Sequence, residues 1–269
     1  MRFWNRKRPA QNIPKEPSMF RKISFALTAA FLCACGANAQ EWGTLSGQVL
    51  WADGALPQLA KVNINKDQDH CLSMGEIPSE KFVVNPKNKG VRWVMVWLTD
   101  AKDPKVKLPV HPSLEKAVSN DVVLDQPCCK FEPHVVGIRE GQTLVTKNSS
   151  PITHNVSIIS TGKNPNSNQI VPSSKEVRIT DWFQGRTPSR IECTIHPWMG
   201  AYVWTFSHPY FAVTNEEGKF TLKNAPAGEF NLVTWQEETG FVQGGRVGIP
   251  VKIKAGATTE VTIDLKPGK

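Results

Sequence analysis

The chain has 269 residues, of which 40% are hydrophobic and 21% are charged, and its formal net charge is +8. Residues 1–39 hold seven Lys and Arg residues and one acid, a net of +6, which leaves +2 for residues 40–269. This balance, together with the lack of any Lys/Arg cluster interleaved with aromatic residues, argues against a nucleic-acid partner.

Residues 1–39 are predicted to be a signal peptide. Arg21 and Lys22 begin a charged region, residues 23–35 form an apolar stretch, and residues 37–39 are a small-residue cleavage signature. We therefore expect an exported protein of the periplasm or cell envelope. A retained anchor is an alternative, but the apolar run is shorter than the ~20 residues of a membrane-spanning helix, so no stable span is expected. Lipidation at Cys35 is a second alternative.

The rest of the chain predicts an all-β fold. Turn residues recur between short runs rich in Val, Ile, Thr and Phe, which is typical of sandwiches and barrels. No long amphipathic helix is found, and only a weak helix is predicted over residues 113–118. The predicted strands are residues 45–50, 91–98, 135–138, 143–146, 156–159, 190–192, 200–206, 211–214, 219–222, 229–235, 251–253 and 260–265.

One short loop concentrates residues that bind metals. Cys193, His196 and Met199 follow a Cys-x₂-His-x₂-Met spacing, and His154 lies upstream. One thiolate, two imidazoles and a thioether are the ligand set of a type 1 copper site. Zinc sites also use the Cys-x₂-His spacing, so the loop alone does not decide the metal. Each candidate ligand falls at the end of a predicted strand, where a β-sandwich can bring the four together.

Residues 121–206 resemble the cupredoxins, in particular the amicyanin- and plastocyanin-like proteins. The resemblance is carried by His154 with Asn155 behind it and by the loop from Cys193 to Met199, with Trp198 where amicyanins usually have Phe. It implies a Greek-key β-sandwich with one type 1 copper ion, for which His154, Cys193 and His196 are equatorial ligands and Met199 is axial. It also implies that Asn155 ties the ligand loop to a neighbouring strand.

The same resemblance implies a one-electron carrier rather than an enzyme. An imidazole edge, that of His196, is expected near the surface as the electron port, with Pro197 and Trp198 in an apolar docking patch for a transient redox partner such as a cytochrome or dehydrogenase. No His-x-His pair of a multicopper oxidase occurs. Two alternatives stay open: a copper-delivery protein without redox cycling, and a structural envelope module that docks carbohydrate or protein, in which Cys193 is structural.

Three further cysteines follow the predicted cleavage point. Cys71, Cys128 and Cys129 are an odd number in a chain predicted to be exported, so one disulfide and one spare thiol are expected. Cys71 with Cys129 is the preferred pair, because a vicinal bridge from Cys128 to Cys129 would strain the peptide between them. A second metal site that combines the spare thiol with His134 or His208 is the alternative.

The last third resembles a second family. The patterns T-N-E-E-G-K-F-T-L (214–222) and A-P-A-G-E-F-N-L (225–232) are similar to the carboxypeptidase regulatory-like, or prealbumin-like, β-sandwich, whose opening strand would be residues 45–50. We therefore predict a discontinuous domain, 44–100 and 207–268, a linker at 101–120, and the cupredoxin domain inserted at 121–206. Two sequential domains, 41–120 and 121–268, are the alternative. The combination resembles exported bacterial proteins called methylamine-utilisation-like.

Overall fold

The computed structural model describes residues 10, 12, 14 and 40–266. The predicted signal peptide, with Cys35, therefore lies outside the described residues except for three isolated positions. The only α-helix in the part described has four residues, and no helix there could cross a membrane.

The described chain is all-β, as predicted. One α-helix, α1, covers Gln68–Cys71, and a short 3₁₀ turn covers Pro112–Leu114. The strands are β1 (Trp42–Trp51), β2 (Val83–Val84), β3 (Val91–Arg92), β4 (Met95–Asp100), β5 (Asp121–Leu124), β6 (Val135–Arg139), β7 (Thr143–Lys147), β8 (His154–Ile159), β9 (Ser167–Val171), β10 (Glu176–Ile179), β11 (Ser189–Glu192), β12 (Gly200–Phe206), β13 (Phe211–Val213), β14 (Lys219–Pro226), β15 (Gly228–Gln236), β16 (Gly240–Phe241), β17 (Ile249–Ile253) and β18 (Thr258–Leu265).

The first sandwich is built from both ends of the described chain. One sheet has the order β14-β1-β18, and the facing sheet has the order β13-β4-β15-β16, with β17 also paired to β15. Strand β1 is antiparallel to β14 and parallel to β18. Its residues alternate between buried and half-buried along the whole strand, the period of two expected when one face of a strand packs on a core.

The second sandwich uses the middle of the chain. Its sheets have the orders β10-β7-β5 and β6-β12-β11-β8-β9. Between them lies an apolar core that includes Leu124, Leu144, Val156 and Ile191, and this core also takes in Cys193 and Met199. The candidate metal ligands therefore sit at the edge of a packed interior, where water is excluded.

An aromatic layer joins the two sandwiches. Met95 and Trp97 on β4 pack against Trp204 on β12, with the Trp97 and Trp204 ring centroids 4.8 Å apart. Their neighbours Val96 and Leu98 point the other way, into the first core. Residues 95–98 of β4 are thus buried on both faces, which explains why they are continuously apolar instead of alternating.

Two local features differ from the sequence expectation. The helix predicted over residues 113–118 is only the 3₁₀ turn Pro112–Leu114. Leu114 packs against the first core, but Glu115 and Lys116 are exposed and Val118 is fully exposed, so a longer helix would have little apolar surface to bury. The strand predicted over residues 91–98 is interrupted at Trp93, whose φ is 64°. That left-handed conformation separates β3 from β4.

Strand pairing bears on the domain arrangement without fixing its boundaries. Strands β5 to β12 make the sheets of the second sandwich, whereas β1 and β4 share sheets with β14, β15 and β18. The boundaries 44–100, 101–120, 121–206 and 207–268, and the carboxypeptidase regulatory-like identity of the flanking sandwich, stay predictions.

Candidate metal centre

Three of the four candidate ligands converge on one buried point. His154 begins β8, Cys193 follows β11 directly, and His196 lies on the loop between β11 and β12. Their exposed fractions are 0%, 1% and 0%. The two Nδ1 atoms lie 2.9 Å apart, and the Cys193 sulfur lies 3.9 Å from Nδ1 of His154 and 3.7 Å from Nδ1 of His196. Nitrogen, nitrogen and sulfur therefore form a triangle that we call the ligand triangle.

Hydrogen bonds within the loop fix its shape. The Cys193 amide donates to the Met199 carbonyl at 3.2 Å, and the Met199 amide donates to the His196 carbonyl at 2.9 Å. These bonds fold the seven-residue loop back on itself between two paired strands, β11 and β12. Met199 is buried beside Cys193 in the second core, and its role as the axial ligand stays a prediction.

Asn155 ties the loop to the strands next to it. Its Oδ1 accepts the amides of Thr194 at 2.8 Å and Ile195 at 3.2 Å, and its Nδ2 donates to Oδ1 of Asn168 on β9 at 2.7 Å. The same Oδ1 lies 3.2 Å from the Cys193 sulfur. One side chain thereby holds the ligand loop in register with β8 and β9.

Burial determines the protonation state of one ligand of the triangle. Burial lowers the pKa of His154 to about 4, with the neighbouring His196 and His70 lowering it further and Asp67 opposing them. His154 is therefore neutral near pH 7, the form of imidazole that binds metals. The donor set fits copper, because two imidazoles and one thiolate in a plane, with a thioether on the same loop, are the type 1 arrangement. Only this triangle forms such a His/Cys/Asp/Glu group among the described residues.

The predicted electron port, the imidazole edge of His196, is covered. The ring is fully buried, and its Nε2 lies 2.7 Å from Oδ2 of Asp67. The cause is a segment upstream of the domain, residues 60–79, which we call the clasp. The clasp crosses the ligand loop at α1 and carries Asp67, whose side chain is 41% exposed. Of the predicted docking residues, Pro197 is exposed and Trp198 is half-buried.

Outside the triangle, two cysteines attach the clasp and a third is a free thiol. Cys71 and Cys129 form a disulfide with both sulfurs buried, and Cys128 is a half-buried free thiol. Neither proposed partner for a second metal site joins that thiol in a metal-type cluster of the described chain. His134 Nε2 lies 2.6 Å from Oε2 of Glu237, and His208 Nδ1 accepts the Tyr210 amide at 3.1 Å.

Sequence reasoning did not find Asp67. Its contact with His196 spans 129 residues. The only available signal is that Asp67 lies four residues before Cys71, whose preferred partner Cys129 lies within the predicted domain 121–206. That signal places the segment near the domain but does not select one of its side chains.

Comparisons with known proteins give fold-level likenesses only. No protein-family model and no curated protein matches the sequence. Among solved structures, an oxidised point mutant of amicyanin is similar at 18% identity and a TM-score of 0.29, over 38% of this chain and 95% of that one. A purple cupredoxin from Nitrosopumilus maritimus is similar at 17% identity and 0.27, over 32% of this chain and 98% of that one. A copper-containing nitrite reductase from Thermus scotoductus is similar at 18% and 0.30, over 38% of this chain and 28% of that one. These values do not assign the chain to a family, so the function must be argued from its own residues.

Proposed function

We propose that the protein is a type 1 copper protein that carries one electron at a time. The observation that carries the proposal is the buried ligand triangle of His154, Cys193 and His196, with nitrogen and sulfur atoms 2.9 to 3.9 Å apart. Copper bound there would alternate between Cu(I) and Cu(II), which is one-electron chemistry.

The chain's own residues supply a fixed environment for that ion. Asn155 holds the backbone on both sides of Thr194, and the loop amides bond within the loop, so the donor atoms need little rearrangement. Burial excludes water from Cys193 and His154. A site whose ligands move little between two oxidation states suits rapid electron exchange.

The donor set favours copper over zinc. Structural zinc sites normally complete a tetrahedron with four Cys, His or carboxylate ligands. Here the described chain offers three such residues in a cluster, and the fourth candidate is the thioether of Met199. A soft thioether is a ligand for copper rather than for zinc.

The setting of the protein is part of the proposal. The signal-peptide pattern of residues 1–39 supports export to the periplasm or cell envelope. A disulfide between Cys71 and Cys129 suits that oxidising compartment. The partner would be another redox protein, such as a cytochrome or a dehydrogenase, and the chain itself would not be an enzyme. The flanking sandwich would then have a structural or docking role.

Redox cycling with retention of the metal is the test. The copper-loaded protein should give a reversible one-electron voltammogram and keep its copper when it is reduced in the presence of a Cu(I) chelator, because the ligands are buried beneath the clasp. Rapid loss of copper to the chelator on reduction would contradict the carrier and would indicate a delivery protein instead.

A further inference from the structure

The geometry points to Asp67 as a positioning residue of the metal centre, which fixes the orientation of His196 and raises the affinity of the site for Cu(II) over Cu(I). This inference rests on the proposed copper function. Asp67 lies 129 residues upstream of His196 and belongs to the clasp, outside the predicted cupredoxin domain.

The contact determines which nitrogen of His196 can bind a metal. Oδ2 of Asp67 lies 2.7 Å from Nε2, and Nδ1 faces Cys193 and His154 in the ligand triangle. A carboxylate can only accept here, so Nε2 carries the proton and donates it in the hydrogen bond. Nδ1 is left with a free lone pair directed at the other two donors. Carboxylates that accept from a ligand imidazole fix the ring and increase the basicity of the ligating nitrogen.

Asp67 makes this contact in place of its usual local one. It is the N-cap residue of α1, where an Asp side chain normally accepts a backbone amide of the helix. Here the side chain makes no capping hydrogen bond, and the backbone is left-handed with φ 48° and ψ 39°. The residue therefore forgoes a local interaction, and its carboxylate is directed at His196.

The clasp is anchored to the same loop from the other side. Cys71 ends α1 and is bonded to Cys129, whose carbonyl accepts the indole N–H of Trp198 at 3.0 Å. The Trp198 ring centroid lies 5.1 Å from that of His196. A closed series of contacts thus runs from Asp67 through the disulfide and Trp198 back to His196. The base of the clasp is closed as well, because the Ser79 amide donates to the Ala60 carbonyl at 3.0 Å.

The negative charge has a defined effect on the redox equilibrium. A carboxylate bonded to a ligand imidazole stabilises the more positive ion, Cu(II), and so lowers the reduction potential. Asp67 is partly exposed while His196 is fully buried, so the charge of the carboxylate can be changed without opening the buried ligand triangle.

The test compares Asp67→Asn with Asp69→Asn. Asn also favours the left-handed conformation, so the first variant changes the charge and leaves the backbone undisturbed. Asp69 is exposed on the same helical turn, and its variant makes the same charge change two residues away. Asp67→Asn should lower the affinity for Cu(II) at least tenfold more than the affinity for Cu(I). Each tenfold change in this ratio raises the reduction potential of the site by about 59 mV. Asp69→Asn should stay close to the unsubstituted protein. An unchanged or lower potential in Asp67→Asn, or an equal shift in both variants, overturns the inference.

A second readout needs no copper. In the metal-free protein, ¹H–¹⁵N spectra of the histidine side chains should show a protonated, hydrogen-bonded Nε2 at His196, and Asp67→Asn should shift that resonance while Asp69→Asn does not. A His196 protonated at Nδ1 instead would overturn the inference. Failure of the unsubstituted protein to take up copper would count against the proposed function, and the ¹H–¹⁵N spectra would still decide whether Asp67 orients His196.

Discussion

At the scale of single residues, the burial of the ligand triangle lowers the stability of the fold. His154 is fully buried, and its Nε2 lacks a hydrogen-bond partner within the described structure. A buried polar group left unpaired costs about 1–3 kcal/mol. The triangle uses Nδ1 of His154, so an ion bound there would leave Nε2 unpaired and would not remove this cost.

Met199→Gln tests the axial ligand. The substitution should leave copper bound and lower its reduction potential, because a harder oxygen donor favours Cu(II) over Cu(I). Voltammetry of the loaded variant measures this. A potential equal to that of the unsubstituted protein would mean that the Met199 sulfur does not contact the metal.

The residues of the site differ in how far the sequence could predict them. Cys193, His196 and Met199 lie within one short loop, so their spacing alone indicates a metal site. The role of Asn155 is predicted only through the resemblance to cupredoxins. The burial of His196 could not be predicted, since it depends on a side chain brought there by the clasp through a contact across 129 residues.

At the scale of elements, the clasp is the feature that sets this site apart from an open ligand loop. It has little regular structure, only α1 and an isolated bridge between Lys61 and Pro78. Ile64 packs into the second core, and Gln68 Nε2 donates to the Ile64 carbonyl at 2.7 Å. The disulfide, the packing of Ile64 and the contact of Asp67 with His196 hold the segment over the loop.

Removing the disulfide should therefore destabilise the protein. Cys71 and Cys129 are 58 residues apart, and closing a loop of that length contributes about 4 kcal/mol in the chain-entropy model. The double variant Cys71→Ser/Cys129→Ser should have a free energy of unfolding lower by roughly that amount. Its urea midpoint should fall accordingly. Cys128→Ser, which removes the neighbouring free thiol, is the control and should change little. Equal urea midpoints for the double variant and the control would contradict the prediction.

At the scale of the whole molecule, local patterns predicted the strands better than their partners. The alternation along β1 and the turn signals around β14 can be read from the sequence, and both strands form. The partnership of β1 with both β14 and β18 joins opposite ends of the described chain, and no local rule predicts it. Only the incomplete family resemblance of each end indicates it.

That partnership predicts how a fragment behaves. A peptide of residues 207–269 lacks β1, the central strand between β14 and β18, and β4, the partner of β15. It would expose unpaired strand edges and half of the first core, so it should be largely unfolded. Its NMR amide signals should be poorly dispersed. A cooperatively folded fragment would contradict the discontinuous arrangement and favour two sequential domains.

The most direct measurement is the visible and EPR spectrum of the purified chain loaded with one equivalent of Cu(II), recorded beside the same sample of Cys193→Ser. The ligand triangle predicts an intense thiolate-to-copper charge-transfer band and a type 1 EPR signal in the unsubstituted protein, and the loss of both in the variant, because Cys193 is the thiolate of the triangle. A colourless copper adduct of the unsubstituted protein, or a variant that keeps the band, would contradict the assignment of this site.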